Sequence, residues 1–121
     1  MQRLNFEFLR SDKRGALIQV NTGKWKQLNH LIIRKGQTFG GHYHKHKKEL
    51  FYCIRGFAHF IVLNHTTNKR NMFSFKKGDC LLIEPYDNHI LHALVQTEII
   101  ELLSEPYDEG DVWIKRSGIK G

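Results

Sequence analysis

From residue 15 to residue 104 the sequence never sustains a helical stripe; short apolar runs return instead, each closed by a turn signal. "LNFEFL", "ALIQV", "LNHLIIR", "ELFYCIRG", "FAHFIVL", "NMFSF", "CLLIEP", "ILHALV" and "TEIIELL" are rich in Ile, Val, Phe and Tyr, which is the composition of strands. Gly15, Gly23, Gly36, the Gly40-Gly41 pair, Gly56, the polar segment 64–69 and Gly78 recur at roughly the 8 to 12 residue rhythm of an antiparallel sandwich or barrel. The fold expected is therefore all-β. "FAHFIVLNHTTNKRNMFSF" predicts a hairpin whose polar tip runs from Asn64 to Asn71. From Glu105 onward the sequence predicts a turn, a short strand or helical turn at Val112 to Ile114, and a frayed end.

A chain of 121 residues has room for one sizeable core, so residues 1–121 are read as one domain. Its formal charge of +7 favours anionic ligands, but the lysines and arginines stand in twos and threes, which argues against a nucleic-acid tract. Cys53 and Cys80 form no CxxC pair and read as buried reduced thiols. No apolar run has the roughly 18 residues that span a bilayer, and the start lacks an uninterrupted signal-peptide stretch, so a cytoplasmic protein is expected.

One stretch carries chemistry. "GGHYHKHKKE", residues 40–49, sets His42, His44 and His46 at alternate positions and ends on Glu49. Residues two apart on a strand share a face at about 6.5 to 7 Å, so His42 and His44 can aim both imidazoles at one cation. Glu49 has the opposite parity, so residues 45–48 must turn if it is to rejoin the histidines from a neighbouring strand; their three lysines suit such a tip. His89 shares parity with Leu91, Ala93 and Val95 and faces inward, while His92 points away. His30, His59 and His65 find no partner in the spacing and read as structural or surface residues.

Gly36, five residues, His42, one residue, His44, four residues, Glu49, six residues and Gly56 together resemble the first motif of the cupins. Gly78, Pro85 and His89 resemble the second, with the proline one place late and Ala93 where asparagine is common. The resemblance covers residues 36–93 and implies a jelly-roll barrel, the double-stranded β-helix, with core motifs at 36–56 and 78–93. It also implies one divalent transition metal, zinc, iron, manganese, nickel or copper, held by His42, His44, Glu49 and His89. A register through His44 and His46 breaks the spacing from Gly36.

Asp12, Arg14 and Gly15, in an Asp-x-Arg-Gly arrangement, and the tail "SEPYDEGDVWI" are similar to nucleotide-sugar cupins of polysaccharide biosynthesis, the epimerases and ketoisomerases among them. The resemblance implies a sugar or nucleotide-sugar ligand and an epimerase or isomerase in which the metal polarises a carbonyl beside the proton to be moved. The general base is sought in His92 or in a tyrosine, Tyr86 foremost and Tyr43 or Tyr52 besides; Arg14 and Lys24 are the candidates for the diphosphate. A homodimer is expected, its N-terminal runs crossing to the partner. Two other readings use the same ligand set: a non-haem iron dioxygenase and a non-catalytic sugar- or metal-binding module.

Overall fold

The computed structural model describes residues 1–113 apart from Phe6 and Tyr107, and for residues 7–10 the backbone alone. Ile114, expected in the last short strand, and the tail beyond it lie outside the described residues. Among the described residues eleven strands follow one another: β1 (Gln2–Arg3), β2 (Glu7–Asp12), β3 (Gly15–Gln19), β4 (Gln27–Ile33), β5 (Thr38–His42), β6 (Glu49–Arg55), β7 (Phe57–Asn64), β8 (Arg70–Lys76), β9 (Cys80–Ile83), β10 (Asp87–Ala93) and β11 (Thr97–Leu103). A single 3-10 turn, Glu109–Asp111, comes last among the described residues. Among the described residues no helix is long and apolar enough to cross a membrane.

Two antiparallel sheets face each other, one of five strands in the order β1-β9-β6-β11-β4 and one of four in the order β5-β10-β7-β8. This is the jelly roll that the strand rhythm and the motif spacing predict. Between the sheets, alternate residues of both interlock: Phe51, Cys53 and Ile99 from the five-stranded sheet meet Phe60, Val62, Phe75 and Leu91 from the other. The period of two is clearest in β7, where Ala58, Phe60 and Val62 are buried between more exposed neighbours; in β10 His89, Leu91 and Ala93 are buried, and Ile90 is buried too, in a second cluster with Leu63. Val95, given the same parity from the sequence, lies beyond the end of β10 and is exposed. The β7–β8 hairpin turns between Asn64 and Arg70, within the predicted tip.

The strand of residues 38–42 does not stand out as an apolar run, because "TFGGH" carries only one large apolar side chain. It forms because β10 offers it an edge. Opposite the step from His89 to Ile90, β5 is bulged, so that His89 pairs with His42 and Ile90 with Gly40. Gly40 has φ +101°, and a Cβ there would stand 2.5 Å from the carbonyl oxygen of His89. Only glycine fits so close to the neighbouring backbone, and the bulge it permits sets His42 beside His89.

The N-terminal segment divides in two. β1 pairs with β9 of its own chain, and β2 and β3 form a hairpin that stands as a separate two-stranded sheet. Every residue of β3 is exposed.

Candidate metal centre and cavity

Where the aromatic core ends, the lumen turns polar. His42 closes β5, His89 sits on β10, and Glu49 opens β6 on the facing sheet. His44 lies past the end of β5, in a segment with no regular structure that runs to β6, which is the turn that Glu49 requires. One ligand atom from each of His42, His44 and Glu49 lies within 4.8 Å of the other two. His89 stands beside that trio, its Nε2 3.6 Å from Glu49 Oε1 and its ring 4.8 Å from that of His42. The four residues singled out by spacing thus come from two sheets and a loop to one place.

Backbone carbonyls orient two of these rings. His44 Nδ1 lies 2.5 Å from the Asp111 carbonyl oxygen, and His89 Nδ1 lies 3.1 Å from that of Asp87. A carbonyl only accepts, so each Nδ1 carries a proton, and in the neutral imidazole it is then Nε2 that has the lone pair facing the centre. The Nε2 of His44 is 2.7 Å from Glu49 Oε1, yet that buried oxygen meets hydrogen-bond geometry with no group. A nitrogen and a carboxylate oxygen at that distance need a proton on the ring or a cation between them.

Burial lowers the His42 imidazole to about 4, reinforced by His89, so that at neutral pH it is uncharged. For Glu49, burial works toward the protonated form but is outweighed by the nearby His89 and His44, and the carboxyl stays ionised. Glu101, on β11, moves the other way: burial, then the hydrogen bond and charge of Glu49, push it up to about 8. Its Oε1 accepts from Asn29 Nδ2 at 2.9 Å, and Asn29 Oδ1 accepts from Gln27 Nε2 at 3.0 Å.

Of these groups His42, His44, Glu49, Glu101 and Asn29 line a cavity of about 290 Å³ whose apolar walls include Leu31, Phe39 and Leu103. Lys47 also lines it and is only 3% exposed. The sequence places that lysine on a solvated tip; the backbone instead turns it inward between exposed His46 and Lys48. Asn29 and Glu101 likewise escape a search for motifs. Their signal is parity, since Glu101 alternates with inward Ile99 and Leu103.

Other candidates fall elsewhere. His92 is on the outer face of the four-stranded sheet, its Nδ1 3.1 Å from Thr38 Oγ1 and its partner across the ladder His59. Its opposite parity to His89 keeps it out of the cavity. Tyr86 does not line the cavity either: its ring stacks at 6.0 Å on Tyr43, which stacks on His65 at 4.6 Å. Arg14, at the tip of the detached hairpin, is held by both carboxylate oxygens of Asp12. Lys24 lines a separate cleft with Trp25, His46 and Lys48.

A family model described as the polysaccharide biosynthesis C-terminal domain matches residues 10–109. A search of curated proteins finds no match. Among solved structures, the chain is similar to the sugar 3,4-ketoisomerase QdtA from Thermoanaerobacterium thermosaccharolyticum, solved in complex with TDP, at TM-score 0.80 and 21% identity over 95% of this chain and 88% of that one. It is similar to a dTDP-4-dehydrorhamnose 3,5-epimerase from Sulfolobus tokodaii at TM-score 0.78 and 20% identity, over 98% of this chain and 86% of that one. CapF, a capsular polysaccharide assembling protein from Staphylococcus aureus, matches at TM-score 0.67 and 20% identity, over 92% of this chain but 32% of that one. At such identities the likeness is one of fold, and the fold is the cupin-type jelly roll. With the family model covering most of its length, the chain belongs to the polysaccharide biosynthesis C-terminal domain family.

Proposed function

We propose that the protein is an epimerase or isomerase acting on the keto sugar of a nucleotide sugar, in the cytoplasm, with one divalent transition metal held by His42, His44, Glu49 and His89. The observation that carries the metal is the convergence of His42, His44 and Glu49, one ligand atom of each within 4.8 Å of the other two, on a buried carboxylate oxygen with no hydrogen-bond partner. Three imidazoles and a carboxylate suit a borderline first-row ion and leave positions open to a ligand. Such an ion, when bound, polarises a carbonyl and eases loss of the adjacent proton.

The chain's own residues do the rest. Lys47 places an ammonium in the cavity, where a substrate oxygen that gains negative charge would meet it. Asn29 and Glu101, already aligned on each other, present an amide and a carboxyl to sugar hydroxyls. Leu31, Phe39 and Leu103 exclude water from the reacting carbon. A volume of about 290 Å³ admits a hexose ring and leaves the nucleotide at the mouth.

The sugar reading is further supported by the ketoisomerase and epimerases that share the fold. The test combines elemental analysis of the purified protein with incubation of TDP-4-keto-6-deoxyglucose in heavy water. Deuterium gained beside the keto group, in the metal-loaded protein only, is the expected result. Iron with oxygen consumption would instead make the protein a dioxygenase, and binding without exchange would make it a binding module.

We also propose that it works as a homodimer. Leu28, Ile32 and Ile54 are exposed on the outer face of the five-stranded sheet, and Leu17 and Ile18 are exposed on the hairpin arm. An arm whose strands pair with no strand of the barrel sheets suits the apolar face of a second copy.

A further inference from the structure

The segment 43–48 carries His44 and Lys47 into the cavity, and its backbone is held from outside. Tyr43 exchanges both backbone hydrogen bonds with Trp113, at 2.8 and 3.0 Å. The carbonyl of His44 accepts from Tyr86 N, and Lys48 exchanges bonds with Ser104. Between these anchors the N–H groups of Lys45 and His46 donate to the two carboxylate oxygens of one residue, Asp111, at 2.8 and 3.2 Å. The carbonyl of that same residue accepts from His44 Nδ1 at 2.5 Å.

Asp111 is 4% exposed, and a buried carboxylate is tolerated only when its lone pairs are met, as here by two backbone N–H groups. It is itself fixed by a short turn: Asp108 caps the turn through Gly110 N, and Asp111 N donates to the Asp108 carbonyl. The indole of Trp113 lies 3.5 Å under the Lys45 ammonium, which ties the same two segments together once more. No β-ladder positions His44.

We propose that Asp111 is the positioning residue of this centre: its carboxylate gathers the backbone of Lys45 and His46 while its carbonyl selects the His44 tautomer, so the C-terminal turn sets where His44 and Lys47 point. The inference rests on the metal reading only for its second measurement.

The test uses the full chain with Asp111→Ala and the milder Asp111→Asn, which keeps one acceptor. In metal-free protein, NMR of the labelled imidazole nitrogens should show His44 as a single Nδ1–H tautomer in the wild type and as a mixture in Asp111→Ala. Zinc affinity, by chelator competition, should fall about 10- to 100-fold in Asp111→Ala, as for lost outer partners of metal ligands, with Asp111→Asn between. A folded Asp111→Ala that keeps the single tautomer and stays within twofold of wild-type affinity overturns the proposal. If Asp111→Ala does not fold, the same unchanged pair of results in Asp111→Asn overturns it. Should the wild type bind no zinc, the metal reading fails, and the tautomer measurement alone decides the role of Asp111.

Discussion

Glu49 on β6 and Glu101 on β11 occupy diagonal positions of one ladder, and burial together with the neighbouring Glu49 carboxyl pushes Glu101 up to about 8. Glu101 keeps its proton because burial and its neighbour disfavour a second charge. A raised carboxyl contributes stability that is complete below its unfolded value, 4.5, and is lost as pH rises through its folded value, about 8. In metal-free protein, wild-type stability relative to Glu101→Gln should therefore fall across that window, by at most ~1.4 kcal/mol per pH unit. Urea melts of both proteins at a series of pH values measure it; parallel curves would refute the raised Glu101 carboxyl.

His42→Ala and Glu49→Gln should each strip the protein of metal while leaving it folded. Elemental analysis reads the first effect. For the second, added zinc should raise the wild-type melting temperature, since a ligand at about 100 times its Kd contributes about 2.7 kcal/mol, and should leave both variants unmoved.

Gly40→Ala meets two obstacles, a φ of +101° and a contact of 2.5 Å with the His89 carbonyl oxygen. A cost of at least about 1–3 kcal/mol is expected in denaturant unfolding, with weakened metal binding, because the bulge that pairs His42 with His89 must shift.

Cys53 and Cys80 are buried, and burial pushes both thiols up to about 11. The thiolate is the reactive form, so a disulfide reagent at pH 8 should leave both untouched in the native protein and titrate two thiols in denaturant. Rapid native labelling of either would contradict the burial.

Leu28→Glu or Ile32→Glu places a charge on the exposed apolar face. Either should convert a dimer to a monomer in sedimentation without loss of the strand signal in circular dichroism.

Much of this architecture was readable because strands in a sandwich bury alternate residues, and the runs around Phe51, Phe60 and Leu91 keep that period. The grouping of His42, His44 and Glu49 was readable for a similar reason: a two-residue step, a turn and a return to the opposite sheet leave little freedom. The remaining wall of the cavity was not. Glu101 and Asn29 are single polar residues on apolar strands, and nothing local distinguishes them from residues on the outer face. Lys47 and Asp111 depend on contacts between segments more than 60 residues apart, which no pattern along the chain encodes. His92 and Tyr86, which residue type suggests as bases, stand outside the cavity: His92 has the opposite parity to His89, and Tyr86, at φ +69°, sits in a turn with its ring stacked on Tyr43.

Glu49 belongs to one wall of the barrel and His42 and His89 to the other. Whatever grips all three braces the open end like a clasp across a hinge. Removing it should let the rim breathe, so faster hydrogen exchange in β5 and β6 on chelation would report occupancy with no substrate in the tube.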